Sequence, residues 1–345
     1  MKWLKLGAFL TVLSIFIYLR ITPIIDQTVP YTYDQGRDFL KVKEITKTSN
    51  FPFIGPTTGI QGVFHGVWWY YFLIPLYLIF KGWPQGFYLG LFTFNLAIIL
   101  FFFFFLKRNY NFKTAIFFLG TVSVSEFFIK TAFYASNNTL APIFVFLFIF
   151  SLYQIFKKDK KVYYFLVGIF LGMILETEFA FGLFIIPSFL ILYLIFKKLK
   201  NIFYIFAGLI IPSIPRLLFE IKNTFLQSQS FINQLKNPNN SHPLEFLPHI
   251  FERLKIFWQY WTSLFYKNNQ FMAIFFLLLI FANLFFIKKN KNTKKSVFIF
   301  SISLLFAIFI LSLFYRNNFF WGYYLDGVQS LMIFILLNAF YFIEK

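Results

Sequence analysis

The chain has no cysteine, and only three histidines, four methionines and 13 acidic residues among 345. Without cysteine there are no disulfides, no thiolate metal sites and no cysteine nucleophile, and the redox compartment leaves no mark on the sequence. Charged residues of both signs make up 13% of the chain against 59% hydrophobic ones, which excludes a water-soluble domain with an ordinary surface. The chain reads as an all-α, polytopic membrane protein. Its charge is lopsided, with 32 Lys and Arg against 13 Asp and Glu. In a soluble chain that excess would suggest nucleic acid. Here much of it sits in short clusters between apolar runs, where orientation in a bilayer accounts for it, and no nucleic-acid partner is expected. Phe alone supplies 59 residues, and with Lys, Asn, Ile and Tyr also common this fits an AT-rich genome.

A helix needs about 20 apolar residues to cross the hydrocarbon core. Candidate spans are Trp3 to Leu19, Phe87 to Leu106, Thr114 to Tyr134, Asn138 to Phe156, Val162 to Thr177, Phe181 to Phe196, Ile202 to Phe219, Phe271 to Ile287, Val297 to Phe314 and Tyr324 to Ile343. One further run, Gly66 to Phe80, contains Pro75 and would be only about 22 Å long as a helix, too short to cross comfortably. Charge supports that reading. If this run stays in the interface, KWLK at the start, Lys107 to Lys113, Lys157 to Lys161, Lys197 to Lys200 and Lys288 to Lys295 fall on one side, together holding 17 of the 32 basic residues. The positive-inside rule makes that side cytoplasmic.

Residues 1–345 are therefore expected to form one transmembrane domain, with 22–86 and 220–270 as long external loops. The first loop holds YTYDQGRDF, an amphipathic continuation, a Gly/Pro-rich strip and the aromatic run; the second ends in an aromatic helix suited to the headgroup level. The first apolar run lacks a small-residue cleavage site and reads as an anchor. No soluble domain is expected at either end, and no internal repeat is visible.

Ionisable groups at or inside a membrane are costly and mark a site or an internal pair. Asp34, Arg37, Asp38 and Lys41 recur at helical spacing, so Asp34 either caps a surface helix or serves as a general base beside a cation able to hold an anion. Glu176 and Glu178 lie between two spans of about 16 residues, either as capping groups of a polar turn or as acceptor-binding or second acid groups. Two such oxygen donors are weak support for a divalent cation, and no cofactor is expected. Glu126 and Lys130, four apart, suit an ion pair that a phosphate could open. Arg216 and Arg316 are placed to hold a lipid phosphate or to reach ordinary headgroups. His242 and His249 lack metal-ligand spacing and read as surface residues, and the glycines from Gly55 to Gly66 lack the strand-to-helix setting of a phosphate loop.

An acidic residue shortly after the first span, an arginine three residues on, a Gly/Pro-rich strip and then His65, Gly66, Trp68, Trp69, Tyr70 and Tyr71 together resemble the first external loop of GT-C glycosyltransferases. The nearer likeness is to the protein O-mannosyltransferases and lipid A aminoarabinose transferases, and it covers roughly residues 1–200. It implies a GT-C-type fold with about ten transmembrane helices plus external juxtamembrane helices. It also implies transfer of a sugar from a polyprenyl-phosphate donor to a glycan, lipid or protein acceptor at the outer face, with inversion. The protein would then sit among the lipids of a bacterial plasma membrane. Asp34 would be the base, with cations such as Arg37, Lys130 or Arg316 neutralising the leaving phosphate and no metal needed. Three departures stand out. Gln35 follows Asp34 where the family has Glu, His65 and Gly66 replace a Lys-Pro pair, and Asn137 and Asn138 stand where an aspartate often opens a span. Amides hydrogen-bond a sugar but take no proton. A transporter or flippase, or a non-catalytic assembly subunit of the same fold, are the competing classes; the lack of repeats and the polar groups gathered at one face weigh against transport.

Overall fold

The computed structural model describes residues 2–197, 199–236, 245–286, 292–315, 320 and 322–344. Its helices follow the apolar runs: α1 (Lys2–Ile25), α2 (Tyr33–Thr48), α3 (Trp68–Ile79), α4 (Pro84–Asn109), α5 (Phe112–Val124), α6 (Glu126–Lys130), α7 (Ala141–Lys158), α8 (Lys161–Thr177), α9 (Phe179–Lys197), α10 (Ile202–Lys222), α11 (Leu226–Lys236), α12 (Phe246–Thr262), α13 (Gln270–Phe286), α14 (Thr293–Ser312) and α15 (Val328–Ile343). Among the described residues six are long and apolar enough to cross a membrane: α1, α4, α7 with the turn before it, α9, α10 and α14. This is an integral membrane protein.

The basic clusters meet at one end of the bundle. Lys5 lies over the ring of Phe112, Lys113 pairs with Glu344 at 3.0 Å, Lys157 donates to Asn109 at 2.7 Å, Lys200 pairs with Asp159, and Lys294 donates to Tyr341 at 2.7 Å. The same-side placement expected from the sequence is thus seen in side-chain contacts. Helix α3 has 12 residues, about 18 Å, and packs beside α2 and α4 without reaching that end.

Inside, aromatic rings and small residues set the packing. Phe102 lies 4.9 Å from Phe146 and 5.2 Å from Phe118, centroid to centroid, and α15 is buried along nearly its whole length. Helices α8 and α10 touch backbone to backbone: a Cβ on Gly168 would stand 2.0 Å from the Ile205 carbonyl oxygen, and one on Gly208 2.1 Å from that of Phe165. Small residues at such crossings are how helices without water between them gain close contact.

The Thr114 to Tyr134 run is not one span. Ser125 leaves the helix with an extended backbone (φ −66°, ψ 125°), and α5 stops there. Its hydroxyl instead donates to the Ser263 carbonyl at 2.9 Å, and α6 starts anew toward that loop. The freed carbonyls of α5 are not left bare. Buried Arg20 of α1 donates to Val122 at 2.7 Å and Ser123 at 3.1 Å, placing a cation at the negative end of the helix dipole. Helix α14 ends in the same way, under Arg253 (to Ser312 at 3.3 Å and Tyr315 at 2.8 Å) and His249 (to Leu313 at 2.9 Å). His249 is therefore a buried residue and not the surface one expected. It lies on the inward face of α12 with Arg253, Ile256 and Tyr260, while Phe246, Leu247, Phe251 and Leu254 are exposed. His242 lies outside the described residues.

Candidate active site

At the end of the bundle away from the lysines, the loop segments fold over the helix ends. Thr32, not Asp34, caps α2: its hydroxyl accepts from the Gln35 N–H, and the Gln35 side chain accepts from the Thr32 N–H at 3.0 Å. Glutamine serves in this capping box as well as glutamate would, so Gln35 has a local structural job. Asp34 sits in the first turn, favourable for a carboxylate, and the buried stripe Gln35, Asp38, Phe39, Val42 and Ile45 fixes the helix against its neighbours.

Arg37 binds both acids of the motif. Its Nη1 is 2.9 Å from Asp34 Oδ1, and its Nη2 is 2.9 Å from Asp38 Oδ1. Asp38 also accepts from Trp69 Nε1 at 2.8 Å and is 1% exposed, whereas the Asp34 side chain is 62% exposed. Burial pushes the Asp38 carboxyl up, against the opposing pull of Arg37 and Trp69. Asp38 is thus the anchor of the arginine, and Asp34 the carboxylate of the pair left exposed.

After α2 the chain forms an antiparallel hairpin, β1 (Ile54–Thr57) with β2 (Phe64–Gly66), the sole sheet among the described residues. Arg216 holds it down. The guanidinium binds Glu176 at 3.0 and 3.2 Å, the Phe64 carbonyl at 2.9 Å and Gln227 at 3.1 Å, and Gln227 in turn accepts from the Phe64 N–H at 2.9 Å. Gly66 rests on Glu176 so closely that a Cβ would stand 2.1 Å from its Oε2. Glu220 completes the support by accepting from the N–H groups of Gln227 and Ser228 at the start of α11.

These elements enclose a cavity of about 890 Å³. Asp34, Arg37, His65, Lys130, Asn137, Asn138 and Glu178, all singled out in the sequence, line it. Asp38, Glu176 and Arg216 do not: they are committed to the internal pairs just described, so Glu176 faces Arg216 and not an acceptor in this cavity, and Arg216 is turned inward and not to a lipid headgroup. Arg316 lies outside the described residues. Lys130 pairs with Glu126 at 2.6 Å, and Glu126 also accepts from Asn268. The imidazole of His65 is held neutral, its pKa pushed down to about 3 by desolvation and then by Arg216 and Arg37. Apolar surface from Phe127, Phe133, Phe179, Leu183, Phe184 and Phe320 fills the rest of the wall.

One lining residue escaped the sequence reading. Asp326 falls inside the candidate span Tyr324 to Ile343, but α15 begins only at Val328, and Asp326 sits in the loop before it. Its Oδ2 accepts from Asn138 Nδ2 at 2.8 Å, and burial pushes its carboxyl up to about 8 against the hydrogen bonds of Asn138 and Gln329. Glu178 is raised well above the ordinary range by burial and then by Asp326, while the N–H of Ala180, in the first turn of α9, donates to it. Tyr323 lies within electrostatic reach of both Glu178 and Asp34. An ionisable residue inside a supposed span was the available signal. Glu176 and Glu178 face different partners, Arg216 for the first and Asp326 with the Ala180 N–H for the second. Among the described residues no three of His, Asp and Glu are gathered as a metal site.

No protein-family model matches the sequence, and no curated protein matches it. Among solved structures, ArnT from Cupriavidus metallidurans superposes with a TM-score of 0.64 over 98% of this chain, both in its apo state and bound to undecaprenyl phosphate. The chain shares the ArnT fold. Identity is 12%, and the match covers 59% of the apo ArnT chain and 60% of the ligand-bound one, so the chain spans about three fifths of the ArnT length. The GT-C-type fold expected from the first loop is the fold observed. Unlike the sequence resemblance, the ArnT superposition is not confined to the N-terminal half.

Proposed function

We propose that the protein is an integral-membrane glycosyltransferase that moves a sugar from a polyprenyl-phosphate donor to an acceptor hydroxyl at the membrane surface. The observation that carries this reading is the exposed Asp34 carboxylate, fixed by Arg37 on the wall of a large, mostly apolar cavity, in a fold shared with an ArnT structure that holds undecaprenyl phosphate. Its volume lies within the range of about 300–1,000 Å³ common for small-ligand pockets.

In this mechanism the prenyl tail lies against the aromatic wall and the phosphate approaches Arg37 and Lys130. Asp34 takes the proton of the acceptor hydroxyl as its oxygen bonds to the anomeric carbon. The bond from that carbon to the phosphate oxygen breaks on the opposite side, and its electron pair leaves with the phosphate. One displacement inverts the configuration. Arg37 already gives Nε, Nη1 and Nη2 contacts to carboxylates, so it serves the phosphate with its remaining N–H groups while holding Asp34 in place. Lys130 is freed by opening its pair with Glu126. The site faces the outer side of a plasma membrane in this reading, with the lysine end inside.

The test is transfer of labelled sugar from polyprenyl-phosphate donors by membranes bearing wild type or Asp34→Asn. Loss of general-base catalysis should lower the rate about 10²–10⁴-fold. Equal rates would remove Asp34 from the chemistry, and labelled donor crossing the membrane without reaching any acceptor would favour transport.

A further inference from the structure

Glu178 and Asp326 form a second polar group in the cavity that the proposed transfer chemistry leaves unused. They come from distant parts of the chain, the α8–α9 junction and the loop before α15, and converge on one wall. Both are nearly or fully buried, and among the described residues neither takes part in an ion pair. Burying carboxyls without a cation is costly unless their oxygens are otherwise occupied. Asn138 and Gln329 satisfy one side of Asp326, and Ala180 satisfies part of Glu178. Asn138 is itself fixed, because its carbonyl oxygen accepts from Ser136. Two further observations point to a ligand here. His65 lines the same cavity with its Nδ1 shielded from water and without a partner, and the cavity runs on from this wall to Asp34.

We propose that Glu178 and Asp326, with Asn138 holding Asp326 in place, form the subsite for the ring hydroxyls of the transferred sugar, and that this subsite rejects a sugar bearing its own carboxylate. The proposal rests on the donor reading above. Burial pushes both carboxyls up, and a protonated carboxyl can both donate and accept, which suits hydroxyl groups that do the same. A sugar bearing its own carboxylate would meet two acid groups on this wall, with the cavity's cations Arg37 and Lys130 given to the phosphate, leaving a buried charge unpaired.

Binding separates the two readings. Full-length protein in lipid nanodiscs would be titrated with undecaprenyl phosphate, and with undecaprenyl phosphate carrying either a neutral hexose or a hexuronate. The hexose conjugate should bind about tenfold or more tighter than bare undecaprenyl phosphate, and the hexuronate conjugate no tighter. Asp326→Leu and Glu178→Met should each lose that sugar increment while binding undecaprenyl phosphate as wild type does. Methionine keeps most of the side-chain volume but offers the sugar no oxygen or N–H, so Glu178→Met tests the idea even where Asp326→Leu fails to fold. A full increment in Glu178→Met and Asp326→Leu, or equal binding of the hexuronate conjugate, would overturn the subsite. Wild type that binds undecaprenyl phosphate with no preference for the sugar would overturn it too, and leave the lipid reading standing; binding of neither lipid would overturn both.

Discussion

Replacing Arg216 with methionine should loosen the hairpin that carries His65. Methionine keeps most of the side-chain volume, so the change is chiefly the loss of charge and of four contacts: two to Glu176, one to the Phe64 carbonyl and one to Gln227. Glu176, 1% exposed, would be left as a buried carboxylate without its cation. Breaking one partner of such a pair costs about 3–5 kcal/mol. At about 2.1 cal/mol/K per residue, a chain of 345 residues has an unfolding entropy on the order of 0.7 kcal/mol/K, so melting should fall by about 4–7 °C. The double variant Arg216→Met, Glu176→Met removes both charges and should recover most of that loss, because an apolar pair of similar volume is often as stable as the ion pair it replaces. Tryptophan fluorescence melts in nanodiscs, with hydrogen exchange at residues 54–66, would read both effects. A single variant within about 1 °C of wild type, or a double variant as unstable as the sum of its singles, would refute the clamp.

Further outcomes follow from the same structure. Gly66→Ala should cost about 1–3 kcal/mol, seen as a lower melting temperature, because the new methyl meets both the side chain and the Cα of Glu176. His65 has a depressed folded pKa, so it contributes stability above the ordinary histidine pKa that is lost as pH falls toward about 3; His65→Gln should flatten the melting curve between pH 6.5 and 5 by up to about 2 kcal/mol, and an unchanged acid slope would contradict its neutral setting. Glu220→Ala removes an acceptor from two N–H groups of α11 and should raise hydrogen exchange there, at a cost of about 0.5–2 kcal/mol. Because the chain has no cysteine, single-cysteine labelling is clean: Lys47→Cys and Lys81→Cys, which flank α3, should react from the same side of the membrane, and Lys107→Cys and Lys158→Cys from the other. Labelling of Lys47→Cys and Lys81→Cys from opposite sides would undo the non-crossing assignment of α3.

What the sequence revealed was whatever depends on near neighbours. Apolar runs marked the bundle, basic clusters marked its shared end, and spacing paired Arg37 with Asp34 and Lys130 with Glu126. Contacts between distant segments were hidden. Arg20 reads as the flank of an anchor until α5 ends beside it, and the break at Ser125 has no proline or glycine to announce it, since the pull comes from Ser263. Arg216 looked free to reach a headgroup because its partners Glu176 and Gln227 lie on other elements. Asp326 was legible only as an acid inside an apolar run. Its meeting with Asn138 needs the tertiary fold, and it changes the meaning of the asparagines: Asn138 supplies no acid of its own but positions one.

Helix α15 is enclosed by α5, α7, α13 and α14 and is buried on almost every face, yet it is synthesised after all of them. Its neighbours enter the bilayer before the element they surround exists, so during biogenesis they must leave a gap, or pack provisionally and part again. Until α15 slots in, Asp326 is not held against Asn138, so the cavity wall is completed only when the bundle closes around this helix.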